Sequence, residues 1–156
     1  MRSVPHLFEP LKLRGLTLNH RLAVSPMCMY SSQDGFANGW HLVHLGSRAC
    51  GGAALVMTEA AAVEPEGRIT PDDLGLWKDD HIEFLNRITT FIKSQGAAPG
   101  IQLAHAGRKA STYSPHVRAQ KGCVPEGQGG WKPVAPSPIP FDATATVPSE
   151  LTTDGI

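Results

Sequence analysis

The residues best suited to chemistry stand in one stretch, Ser25-Pro26-Met27-Cys28-Met29-Tyr30. It follows an apolar run, Leu22-Ala23-Val24, and leads into a polar loop ending at Gly35. The pattern is that of a strand opening into a loop, with a thiol and a phenol two residues apart. Pro26 lacks a backbone donor, so strand pairing is expected to end about there. In a parallel β/α architecture the C-terminal ends of strands carry the chemistry. Cys28 and Tyr30 would then stand at the rim of a sheet. The plainer reading is a small buried cysteine and a packed tyrosine, and the local pattern alone does not separate the two.

A second polar residue sits where apolar ones dominate. Gln102 lies between Ile101 and Leu103 in a segment that reads as a buried strand, where an amide needs a partner. On its own it reads as part of a structural network. His105, Arg108 and Lys109 follow it, and their expected partners are the next loop or a carboxylate. Glu59 reads as a holder of a backbone group or an arginine, with no catalytic role. His41 and His44 lie three apart, but no H-E-x-x-H pattern surrounds them, so no metal site is expected. Cys28, Cys50 and Cys123 are an odd, sparse set with no C-x-x-C spacing. That argues against a disulfide scaffold and for a reducing, cytoplasmic setting. Cys50 and Cys123 read as inert.

These residues must be positioned by a framework. The chain has 156 residues, 41% apolar and 18% charged, enough to bury a core. Its formal net charge is zero. With no basic stripe, nucleic acid is not an expected partner. No apolar run reaches membrane-spanning length, and Met1-Arg2-Ser3-Val4-Pro5-His6 is unlike a signal peptide.

Alternation in Leu11-Lys12-Leu13 and Leu16-Thr17-Leu18, around Arg14-Gly15, predicts a hairpin. Residues 21–26 are expected to form the first main strand. Leu42, Leu45 and Ala49 predict a helix from Gly39 to Cys50, stopped at Gly51-Gly52. The apolar run 53–58 suits a strand buried on both faces. Asp79-Asp80 is expected to cap a second helix, whose apolar stripe is Ile82, Leu85, Ile88 and Ile92. A third strand is expected over 99–105. The order β-α-β-α-β implies a parallel α/β fold with right-handed crossovers. Residues 110–150 hold seven of the 13 prolines and read as a long, stiff loop. Thr152-Thr153-Asp154 resembles a helix cap.

Four motifs, taken together, resemble one family. They are Ser25 to Tyr30, Thr58-Glu59-Ala60, Pro65-Glu66-Gly67-Arg68-Ile69-Thr70, and Gly100 to Ala110 with its core Gly100-Ile101-Gln102-Leu103-Ala104-His105. This combination resembles the old yellow enzyme family, and the Cys-x-Tyr form resembles its thermophilic-like and xenobiotic reductase subclass. The resemblance runs from Leu7 to Ile156. It implies an FMN-dependent (β/α)8 TIM barrel that reduces activated C=C bonds of α,β-unsaturated carbonyl substrates with NADPH or NADH. It also implies site residues. Ser25, Pro26, Met27 and Cys28 would line the flavin from strand 1, with Cys28 tuning its potential. Tyr30 would approach substrate, Ala60 would contact the flavin, and Gln102 would hydrogen-bond the pyrimidine side of its ring.

The length departs from the family, because such a barrel needs about 250 residues. The expectation is therefore α/β, the N-terminal part of a TIM barrel covering about strands 1–3, with an N-terminal hairpin and a Pro-rich capping loop. Residues 1–156 would be a segment of one barrel domain whose remainder is absent from this chain. The family's later histidine pair, tyrosine and phosphate-binding arginine would lie beyond it. A complementary chain is expected to complete the barrel, which would form a homo-oligomer. The alternative is an inactive or weakly flavin-binding remnant that serves only for association.

Overall fold

The computed structural model describes residues 6–117 and 120–155. The reading of the first residues as unlike a signal peptide rests on 1–5, outside that range. An antiparallel hairpin opens the fold, β1 (Leu11–Leu13) and β2 (Leu16–Leu18), with Leu11 opposite Leu18. Arg14 at its tip has φ 52°. Then follow β3 (Ala23–Val24), α1 (Gly39–Cys50), β4 (Leu55–Ala62), β5 (Leu74–Gly75), α2 (Ile82–Ser94) and β6 (Ala98–Ala104). Two short strands, β7 (Val134–Ala135) and β8 (Ser149–Glu150), pair in parallel within the proline-rich region. No helix among the described residues is long and apolar enough to cross a membrane.

The sheet is parallel and centred on β4. One edge of β4 pairs with β6 along its length. The other edge is shared: β3 takes Leu55 and Val56, and β5 takes Ala61 and Ala62. The gap between β3 and β5 is where the Cys28 loop leaves the sheet. Helices α1 and α2 cover one face. Leu45, Ala49, Leu85, Ile88 and Ile92 pack there with Val56 and Ala61 of β4 and Leu74 of β5. This is part of a β/α barrel wall, with helices outside and, among the described residues, an uncovered inner face.

The helix α1 has the expected bounds. Asn38 caps it, accepting from the Trp40 amide at 3.0 Å, while the His41 ring accepts from the Asn38 amide at 3.1 Å. A histidine thus fills the reciprocal position of a capping box, more often Glu or Gln. Five expectations need correction. The first strand is two residues rather than six, because only Ala23 and Val24 pair with β4 and the backbone departs before Pro26. Strand β4 runs four residues past 58, since the small side chains Ala60, Ala61 and Ala62 let β5 and β6 close on both edges. Asp79 and Asp80 do not cap α2. They form a short 3-10 turn, Asp79–His81, with no side-chain cap bond. Ile82 is 52% exposed and outside the core, so the stripe on α2 begins at Leu85. The proline-rich region is ordered by its own pairing, β7 with β8 and a bridge between Thr112 and Cys123. Thr153–Gly155 is a single 3-10 turn.

Candidate active site

A bulge in β4 decides which residues reach the inner face. Met57 pairs with Gly100, but the next pairing is Ala60 with Gln102. Two residues, Thr58 and Glu59, therefore stand against Ile101 alone. In an unbroken strand Glu59 would share the face of Leu55 and Met57. The extra residue puts Ala60 on that face instead, beside Gln102. Met57 marks the face, since its sulfur occupies the space over Gly100.

Cys28 is half-buried beside the Ala60 backbone, in the gap between β3 and β5. Burial raises the pKa of its thiol above the ordinary value, with Asp73 and Glu59 adding to the rise; hydrogen bonding from the Ala60 backbone and Tyr30 opposes it. Tyr30 is raised as well, first by burial and then by Cys28. The thiol and phenol thus interact, and both are protonated near neutral pH. A protonated thiol is a hydrogen-bond donor and a poor nucleophile. In the intact chain, exposed Cys50 is accordingly expected to react with iodoacetamide at pH 7.5 several times faster than Cys28. Peptide mapping of the alkylated protein reads the two rates, and equal rates would contradict the sheltered thiol.

Tyr30 has φ 51°. A bulky residue in the left-handed region costs roughly 1–2 kcal/mol, so its neighbours must hold it. The Met29 amide donates to Glu59 Oε2 at 2.8 Å. The Met29 carbonyl accepts from Ser31 Oγ at 3.0 Å and lies 3.0 Å from His116 Nε2. The His116 ring meets Tyr30 edge-on at 6.2 Å. Asn38 Nδ2 donates to Ser31 O, tying the loop to the start of α1.

Other polar side chains build the rim. Asp73 accepts from the Ile69 amide (2.7 Å), the Thr70 amide (3.0 Å) and Thr70 Oγ1 (2.7 Å). A cleft of about 180 Å³ lies between Ala60, Gly67, Ile69, Asp73, His105 and Lys109. His105 Nε2 is 3.5 Å from Glu64 Oε1. Arg108 donates to Ser137 Oγ at 3.1 Å, and Lys109 lies 5.2 Å from the Phe141 ring centre. The basic trio thus engages a carboxylate and the proline-rich region, as the sequence favoured.

The structure brings Cys28, Tyr30, Ala60 and Gln102 to one end of the sheet. Ser25 and Met27 sit on the same loop, both exposed, with Pro26 half-buried between them. Gln102 corrects its sequence reading. It is exposed, as are Ile101 and Leu103, the latter at 60%. Among the described residues β6 is bonded only to β4, and its Ile101, Gln102 and Leu103 are left exposed. Glu59, read from the sequence as a holder of a backbone group or an arginine, holds the Met29 amide. His41 and His116 were missed as site-building residues.

The sequence profile described as the NADH:flavin oxidoreductase / NADH oxidase family matches residues 6–149. The chain belongs to that family. An NADH:flavin oxidoreductase of Gibberella zeae is 48% identical over 153 residues, 96% of this chain and 37% of that protein. An NADPH dehydrogenase of Geobacillus thermodenitrificans is 45% identical over 148 residues, covering 94% and 38%. Among solved structures, morphinone reductase aligns with a TM-score of 0.79 at 25% identity, over 98% of this chain and 41% of that one. An old yellow enzyme homologue from Zymomonas mobilis aligns at 0.76 and 25%, over 96% and 41%. The chain therefore spans about two-fifths of the length of these relatives, and it matches the N-terminal part of old yellow enzyme barrels.

The cofactors of the NADH:flavin oxidoreductase family are FMN and a nicotinamide donor, NADH or NADPH. The residues present suit a flavin. The Gln102 amide, which makes no side-chain hydrogen bond among the described residues, offers two donors and an acceptor. Ala60 beside it leaves room for a flat ring, and Cys28 adds a donor.

Proposed function

We propose that this chain supplies one side of the FMN site of an ene-reductase, which reduces activated C=C bonds of α,β-unsaturated carbonyl compounds. The observation that carries the reading is the pairing of Ala60 with Gln102 beside Cys28, at the C-terminal ends of parallel strands. In barrels of this kind that end holds the active site. The chemistry that bound FMN supplies is hydride transfer from NADPH or NADH to the double bond. This chain's residues bind and orient. Ser25, Pro26 and Met27 line the ring from the loop after β3. Cys28 donates a hydrogen bond that tunes its potential, and Ala60 admits its face. Gln102 pairs with the pyrimidine edge. Tyr30, on the same loop as Cys28, meets the substrate carbonyl compound. The other strands of the barrel complete the pocket, and a complementary polypeptide carrying them is one form in which that assembly would work.

Gln102→Leu tests the reading. Its amide is exposed and carries no packing role here, so stability should stay within about 0.5 kcal/mol of wild type. Losing the ring's polar partner costs roughly 1–3 kcal/mol, so FMN affinity in the completed barrel should fall about 5- to 150-fold. Quenching of flavin fluorescence on titration measures it. An unchanged Kd for FMN would sink the assignment.

A further inference from the structure

We propose that Glu59 is the positioning residue that sets where Cys28 and Tyr30 stand. The importance of that placement rests on the flavin reading above, but the geometry does not. Glu59 is one of the two residues of the β4 bulge, and its side chain is 4% exposed. Both carboxylate oxygens are engaged. Oε2 accepts from the Met29 amide at 2.8 Å, and Oε1 lies 3.3 Å from Nε2 of His41, itself 2% exposed.

The Met29 amide is the peptide group joining Cys28 to Met29, next to the strained Tyr30. A carboxylate accepting a backbone N–H is among the stronger protein hydrogen bonds. It fixes the direction of the chain between the thiol and the phenol. His41 in turn is fixed by α1. Its Nδ1 lies 3.1 Å from the Asn38 amide and 3.2 Å from Asn38 Oδ1, and its Nε2 faces Glu59 and Ser32 Oγ, the latter at 3.3 Å. The order of support is α1, His41, Glu59, Met29 amide, and then the site pair. A carboxylate serving only the core would need none of this, and buried charged groups are often replaceable by apolar residues. The bulge spends an irregularity in the central strand to aim this one side chain at the loop, and bulges re-aim side chains beside active sites.

The test uses the full chain with two variants, Glu59→Gln and Glu59→Met. The first keeps an acceptor for the Met29 amide, and the second keeps the bulk and removes the acceptor. Two signals are read, hydrogen exchange at the Met29 amide and the alkylation rate of Cys28 by peptide mapping. In Glu59→Met, Met29 protection should fall about 10-fold or more. Alkylation of Cys28 should rise about 3-fold or more as the thiol loses its shelter. The amides of Leu85, Ile88 and Ile92 should keep their protection. In Glu59→Gln both signals should stay within about 3-fold of wild type. Neither signal involves FMN, so failure of the flavin reading leaves the result intact. Unchanged Met29 exchange and Cys28 labelling in Glu59→Met, with only a lower Tm, would overturn the proposal. If Glu59→Met loses protection everywhere, Glu59→Gln decides: loss of Met29 protection there, despite the retained acceptor, overturns it as well.

Discussion

Arg68→Ala is expected to lower stability by about 3 kcal/mol, because one guanidinium joins three separate loops. Its carbon lies 5.3 Å from the centre of the Trp77 ring and 4.8 Å from that of Trp131. Its Nε donates to Pro65 O at 2.8 Å and its Nη1 to Pro71 O at 3.2 Å. Trp131 is held further by its Nε1, which donates to Glu66 O at 2.9 Å, and by its amide, which donates to Ser111 Oγ at 2.8 Å. Hydrogen bonds from a charged donor contribute about 1.5–3 kcal/mol each, and half-exposure reduces that share. A cation over an indole adds about 0.5–2 kcal/mol. Arg68→Lys should recover little, since an ammonium cannot stack flat or serve two carbonyls at fixed angles. Urea unfolding gives the free energy, and tryptophan emission should shift to the red as Trp131 is released. A loss under about 0.5 kcal/mol would show that the stack is ornamental. The effect bears on function because Arg68 ties the proline-rich region to the rim where Cys28 and Ala60 stand.

Gly75→Ala is expected to cost as much, for a steric reason. A Cβ there would land on the Trp77 ring, whose Cη2 would be 2.7 Å away. The ring has little freedom to retreat. His81 packs against it edge-on at 4.6 Å, and a Cβ on Gly35 would meet the same ring. Gly75 is itself fixed, paired with Ala62 and donating its N–H to Gly35 O at 3.0 Å. Overpacking a fixed ring costs about 3 kcal/mol, the upper end of the usual range. Gly100→Ala is the control. Its Cβ would meet Met57 sulfur, but a methionine side chain is flexible and half-buried, so the loss should stay below about 1 kcal/mol. Thermal unfolding of both variants decides the matter, and equal losses would refute the distinction between a rigid and a yielding neighbour.

The elements legible in the sequence were those whose own residues carry the signal. The helix α1 was bounded by Leu42, Leu45 and Ala49 and by the glycines after Cys50, because a helix makes its hydrogen bonds within itself. Strand β4 announced itself as an apolar run bounded by glycines and a Glu and β6 as the segment 99–105, and their alternation with helices implied the parallel sheet. The motif from Ser25 to Tyr30, with Ala60 and Gln102, pointed to the strand ends and to the family.

Other features depended on partners far along the chain. Strand β5 is two residues, Leu74 and Gly75, with no period to detect, and it exists because β3 vacates the edge of β4. The bulge at Thr58 and Glu59 is invisible until β6 supplies a register, yet it exchanges Glu59 for Ala60 on the inner face. Ile82 keeps the helical spacing of its stripe but has no neighbour to cover it. The role of Glu59 requires Met29, 30 residues earlier, and His41 on another element. Local periodicity determines helices and buried strands because their energetics are local or uniform. Register, bulges and the aim of a buried carboxylate are settled only when distant backbone groups need partners that the tertiary fold brings within about 3 Å.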